Sequence, residues 1–139
     1  MTLMKTKCYL LFGLTALLAS CTLTTTRMKD PIFIDSGKVE KELTSMVRAE
    51  HINLAGKEIT SNGKTSTELE VAITNGTNIP TGDNERKSLE KSIAASVKNN
   101  LKDPNAYEKY TVLFVTKETS GAVTKRNWVG DVFSVKELY

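Results

Sequence analysis

Asn62-Gly63-Lys64-Thr65-Ser66-Thr67-Glu68-Leu69-Glu70-Val71-Ala72-Ile73-Thr74 is the stretch that decides the fold. Asn and Gly both tolerate positive φ, so Asn62-Gly63 specifies a two-residue hairpin turn. After the turn the residues alternate. Leu69, Val71 and Ile73 take one side, and Glu68, Glu70 and Ala72 take the other. Period-two alternation predicts a half-buried strand over residues 67–74. A hairpin needs a second strand, so residues 52–60 are expected to pair antiparallel with it.

Downstream, residues 75–82 contain Asn-Gly, Ile-Pro and Thr-Gly and read as a loop. Asp83 or Asn84 opens the strongest helix of the chain, with Leu89, Ile93, Val97 and Leu101 in one stripe and Ala94 beside it. Glu85 suits the positive end of the helix dipole, and Lys98 and Lys102 the negative end. Arg86 and Glu90 can pair at i, i+4. Asp103-Pro104 stops the helix, because the residue before proline is pushed out of helical geometry. Residues 110–117 are apolar and β-branched, with Val112 and Phe114 on one face and Leu113 and Val115 on the other. That pattern predicts a central strand. A turn around Gly121 leads into residues 123–135, read as one strand or two, with Gly130-Asp131 as a bulge. Residues 136–139 are expected to fray.

Upstream of the hairpin, Asp35 or Ser36 caps a first helix whose apolar face is Val39, Leu43, Met46 and Val47, fading near His51. The resulting order is helix–strand–strand–helix–strand–strand (αββαββ). It predicts an α+β two-layer sandwich: a mostly antiparallel sheet of about four strands with two helices on one face. Residues 35–139 are assigned to this single domain. Residues 22–29 are Thr-rich with Arg27 and Lys29 as their only charges, and residues 21–34 read as a flexible tether. Arg27 and Lys29 would favour anionic headgroups if held at a membrane surface.

The search for chemistry returns little. His51 is the one histidine. At a helix end it serves capping or exposure better than catalysis. A zinc site of the usual nitrogen and sulfur type lacks ligands, and no cofactor is implied. Glu68 and Glu70 share a strand face, roughly 6–7 Å apart by the strand rise. Such a pair is the minimum of a carboxylate-dependent hydrolase, and a solvated strand face explains it more simply. The aromatic residues are the better lead. Tyr107, Tyr110 and Trp128, with Lys125 and Arg126 near the Trp, are the residue types that anchor interfaces, and they form the candidate partner or ligand contact.

The N-terminus carries the most specific signal. Lys5 and Lys7 precede an apolar run over residues 8–18, followed by small residues. Charge, greasy core and small residues in that order make a secretory signal over residues 1–20. The run falls short of the roughly 20 residues a spanning helix needs. Leu18-Ala19-Ser20-Cys21 resembles the lipobox of bacterial lipoproteins. The resemblance covers the first 21 residues. It implies a diacylglycerol thioether on Cys21, cleavage just before it and membrane attachment through the lipid. Thr22 stands where an Asp often retains such proteins at the inner membrane, which favours the outer membrane in a Gram-negative cell.

Charge and cysteines fit that expectation. The first 20 residues hold two of the 19 basic residues and none of the 16 acidic ones, so the rest of the chain is close to neutral. A nucleic-acid binder would want a concentrated basic face. The two cysteines are Cys8, in the signal, and Cys21, the lipid acceptor, so no disulfide is expected. Together these readings predict a lipid-anchored, non-enzymatic binding or assembly module of the bacterial envelope with an envelope protein as partner. Capture of a small ligand or glycan is the alternative.

Overall fold

The Asn62-Gly63 turn forms as its composition demands, with φ of 51° and 74°. In the computed structural model, which describes residues 23–139, it joins β2 (His51–Ser61) to β3 (Lys64–Thr74). The two strands pair antiparallel in unbroken register from His51↔Thr74 to Ser61↔Lys64. The leader and Cys21 lie outside the described residues.

Among the described residues the fold is α+β, with two helices and a five-stranded, mostly antiparallel sheet in the order β1-β2-β3-β4-β5. The fifth strand corrects the expected number. β1 (Thr24–Met28) pairs antiparallel with β2, from Thr24↔Ser61 to Met28↔Lys57. It comes from the segment read as tether. All five of its residues are exposed, so no apolar alternation marked it. Backbone pairing holds it instead. Downstream of β1 the supposed tether is pinned as well: the Ile34 N–H donates to the Asn100 carbonyl at 2.9 Å, and the Lys102 N–H to that of Ile32 at 2.8 Å.

Helix α1 (Ser36–Met46) is capped by Asp35, whose carboxylate accepts from the Lys38 N–H at 3.1 Å. It ends before His51, which opens β2 rather than closing the helix. Helix α2 (Asp83–Asn100) carries the chain from β3 to β4 (Lys109–Ser120), and such a crossover makes these two strands the parallel pair of the sheet. β4 then pairs antiparallel with β5 (Val123–Ser134) across Gly121, whose φ is 59°.

Registers show which residues share a face. Leu69 lies opposite Tyr110, Val71 opposite Val112 and Ile73 opposite Phe114. All six are buried, and they form one core with Val39 and Leu43 of α1 and Ile93, Ala94 and Val97 of α2. A link between the helices closes over it. The Glu42 carboxylate accepts from Ser96 Oγ at 2.7 Å and Asn100 Nδ2 at 2.8 Å. Those two bonds, the first above all, hold its pKa below the usual carboxylate range.

Two C-terminal expectations fail for local reasons. β5 is one strand without a bulge, since Gly130 and Asp131 stay in step with Leu113 and Val112. Gly130 is needed for close approach: a Cβ there would collide with the Val112 carbonyl. The tail does not fray either. Val135–Leu138 is a 3-10 helix closed by a reciprocal Ser134–Glu137 capping box, and Leu138 is buried.

Candidate functional site

The aromatic and basic residues singled out from sequence divide between the two faces of the sheet. Tyr107 and Tyr110 are 1% and 0% exposed and pack edge to face with ring centroids 6.4 Å apart. They are core, which corrects their assignment as contact residues. Tyr110 falls two residues before Val112 and four before Phe114, so strand parity sends it inward with them. Burial raises the pKa of both phenols. Tyr107 donates its hydroxyl proton to the Lys29 carbonyl, while the Tyr110 hydroxyl has no partner among the described residues.

Trp128 is 72% exposed on β5. Phe133 of the same strand is buried in the core, so the even-numbered positions, including Arg126, Trp128 and Val132, face outward. Lys125 is exposed on the opposite side, away from Arg126 and Trp128. Register then sets the neighbours of the outward residues on β4. Trp128 lies opposite Val115, Gly130 opposite Leu113 and Val132 opposite Thr111, while Ala72 of β3 lies opposite Leu113 on its other side. Val132 is 57% exposed. Ala72, Leu113, Val115, Trp128 and Val132 thus make an apolar strip across β3, β4 and β5, with a dent where Gly130 lacks a side chain.

Charge borders the strip. At one end Lys57 lies between the two carboxylates proposed from sequence, 3.6 Å from Glu68 and 3.7 Å from Glu70. Thr111 also donates its hydroxyl proton to Glu68. One ammonium and one hydroxyl therefore satisfy this pair, an arrangement that builds a ladder across strands. At the other end a hollow of about 520 Å³ is lined by His51, Thr74, Val115, Lys117 and Arg126, among others. Asn75, at φ 51°, links two of the lining residues: its side chain accepts from the Lys117 N–H at 2.8 Å and donates to Glu50 at 2.6 Å. No group of three or more His, Cys, Asp or Glu residues able to hold a metal ion is found among the described residues.

Sequence reading missed one further cluster. Glu90, expected to pair with Arg86, is 0% exposed. Arg86 Nε approaches it at 3.5 Å while the same guanidinium holds Asp83 at 2.9 Å. Neither Glu90 oxygen has a hydrogen-bond partner of good geometry among the described residues. Burial, and then the Asp131 carboxyl beside it, push the Glu90 pKa up to about 7. The signal was present in the sequence: Glu90 sits one turn before Ala94 and two before Val97, on the buried side of α2.

No protein-family model matches the chain, and neither a curated protein nor a solved structure does.

Proposed function

We propose that this protein is a lipid-anchored, non-enzymatic binding or assembly module of the bacterial envelope, a two-layer sandwich whose outer sheet face is the docking surface. The observation that carries this reading is Trp128, 72% exposed at the end of an apolar strip on the outer face. Aromatic side chains exposed within an apolar patch and rimmed by charge are the anchors that partners bury. Arg126 and Lys117 border the same strip and would orient a partner by charge. Attachment rests on the lipobox at residues 18–21. Two or more acyl chains on Cys21 would hold the protein on a bilayer, since each buried CH₂ contributes about 0.8 kcal/mol. Thr22 after the cysteine favours the outer membrane.

A photo-crosslinking amino acid at Val132, in cells carrying the full-length protein, tests the docking face. The expected result is a discrete adduct that disappears with Trp128→Ala and is absent when the crosslinker stands at Glu40 on the exposed side of α1. Equal labelling at both positions would end this reading. Capture of a small ligand or glycan is the second reading. The hollow beside His51, Lys117 and Arg126 favours it, and saturable glycan binding lost with Arg126→Ala would select it.

A further inference from the structure

Only Thr22 and Leu23 separate Cys21 from Thr24, the first paired residue of β1. Thr24 lies opposite Ser61, beside the Asn62-Gly63 turn, and its hydroxyl donates to that of Ser61 at 3.3 Å. β3 does not meet β4 until Glu68. The chain therefore enters at the tip of the β2–β3 hairpin and runs along a three-stranded ribbon that projects past the first residue of β4.

The ribbon is fastened at its base. The Lys29 N–H donates to the Gly56 carbonyl at 2.8 Å. Lys29 Nζ donates to the Ala106 carbonyl at 3.0 Å and sits 5.4 Å from the centre of the Tyr107 ring. Tyr107 closes the clasp through the Lys29 carbonyl. Gly56 makes room for it, because a Cβ there would stand 2.7 Å from Tyr107 Cε1. Lys29 is thus committed to the domain and not to lipid. The tip is rich in hydroxyls, with Thr24, Thr25, Ser61 and Thr65, and Lys64 is its cation. Leu23, exposed, lies on the side of the anchor.

We propose that β1 and the tip of the β2–β3 hairpin form a rigid pedestal that rests on lipid headgroups and stands the sheet upright from the bilayer. This rests on lipid attachment at Cys21. A link of two residues leaves the tip within one or two strand spacings of the headgroups, since each extended residue spans at most about 3.6 Å. The strand path from Lys64 to Glu68, and then from Lys109 to Ser120, places the Gly121 turn about 50 Å away at about 3.3 Å per residue. The outer face with Trp128 then looks sideways along the membrane. Its partner has to approach laterally, as another envelope-bound molecule does.

The test uses full-length protein matured in a bacterium and reconstituted in phosphatidylethanolamine–phosphatidylglycerol vesicles containing headgroup spin-labelled lipid. A fluorophore is attached to Lys64→Cys or to Ala122→Cys. Quenching at position 64 is expected to exceed that at position 122 several-fold. A ten-residue Gly-Ser insertion between Thr22 and Leu23, which leaves every described strand intact, is expected to abolish that contrast. Equal quenching at the two positions in protein that floats with the vesicles overturns the pedestal and leaves the anchor standing. Contrast that survives the insertion overturns the claim that the short link sets the orientation. Protein that does not float with vesicles removes the anchor and the pedestal together.

Discussion

The two faces of β4 belong to one strand and differ in what covers them. Tyr110, Val112 and Phe114 point inward, and all are buried in the core they share with residues of both helices. Leu113 and Val115 point outward, only half-buried, with Trp128 and Val132 of β5 as exposed neighbours. The inner apolar residues have a folding role. The outer ones add apolar surface that folding leaves in water, and such a surface is retained where something else covers it. β3 makes the contrast sharper: its outer face carries Glu68 and Glu70 neutralised by Lys57. Across β3, β4 and β5, apolar character on the outer face is therefore concentrated at the β4–β5 side.

Truncating the two faces should give very different losses. Phe114→Ala is expected to cost about 3–5 kcal/mol, a large share of the stability of a domain this size, read as the shift of a urea unfolding midpoint. Leu113→Ala, one residue away, should cost well under half of that. Equal losses would mean that the outer face is as tightly covered as the inner one, and the docking surface would not exist.

Charge on the inner face gives the next effect. Glu90 has its pKa raised to about 7 by burial and by Asp131, with Arg86 and Lys87 opposing. A raised carboxyl keeps its proton in the folded state while the unfolded chain has released it. Stability from this group is therefore full below about pH 4.5, falls as the pH rises toward 7, and is level above that. A shift of this size corresponds to a loss on the order of 3 kcal/mol. Glu42 and Glu137, held below their ordinary range by hydrogen bonds, act in the opposite sense, and their contribution is lost only as the pH falls below about 4.5. The melting temperature should thus peak near pH 5. Glu90→Gln, which keeps the shape of the protonated acid, should flatten the decline between pH 5 and 8. Parallel profiles for the two proteins would show that Glu90 is not the titrating group.

Much of the inner face was legible in the sequence, because its residues repeat. The β3 alternation, the Asn62-Gly63 turn and the α2 stripe each specify their element locally. Three features escape the local reading, the first for want of any pattern and the other two because residue type and pair spacing outweigh face parity. β1 has no apolar side to reveal it, and its pairing strand and the Tyr107 clasp lie far along the chain. Tyr110 was grouped with Trp128 by residue type, although its spacing from Val112 and Phe114 places it inside. Glu90 fits the i, i+4 rule for a pair with Arg86, although its spacing from Ala94 and Val97 places it on the buried side of α2. At the candidate site, residue type found Arg126 and Trp128. Register was needed to set them beside Leu113, Val115 and Val132 and to separate them from Lys125.

Gly56 tests the inner face where it meets β1. A methyl group there meets the Tyr107 ring and the Lys29 carbonyl, both held in place by their own contacts. Gly56→Ala is expected to cost about 1–3 kcal/mol by overpacking. Hydrogen exchange should rise first at the amides of Arg27 and Lys29. The Lys29 N–H faces β2, and strand alternation gives Arg27 the same direction. A uniform loss of protection across the sheet, with β1 no more affected than β4, would mean that Gly56 supports the domain as a whole rather than the clasp.

The smallest expected effect decides the most about function. Trp128→Ala removes the largest side chain on the outer face, yet that side chain is mostly in water and lies opposite Val115 at the exposed end of the strip. Substitutions at such positions change stability by about 0.5 kcal/mol or less. A buried tryptophan would cost about 3–5 kcal/mol, so the measurement separates the two cases by a wide margin. A near-neutral result, combined with loss of the crosslinked adduct at Val132, places the role of Trp128 in recognition. A large loss of stability would instead mean that Trp128 folds down onto the strip and closes it. The outer face would then be a finished surface, and the difference between the two sides of β4 would carry no functional meaning.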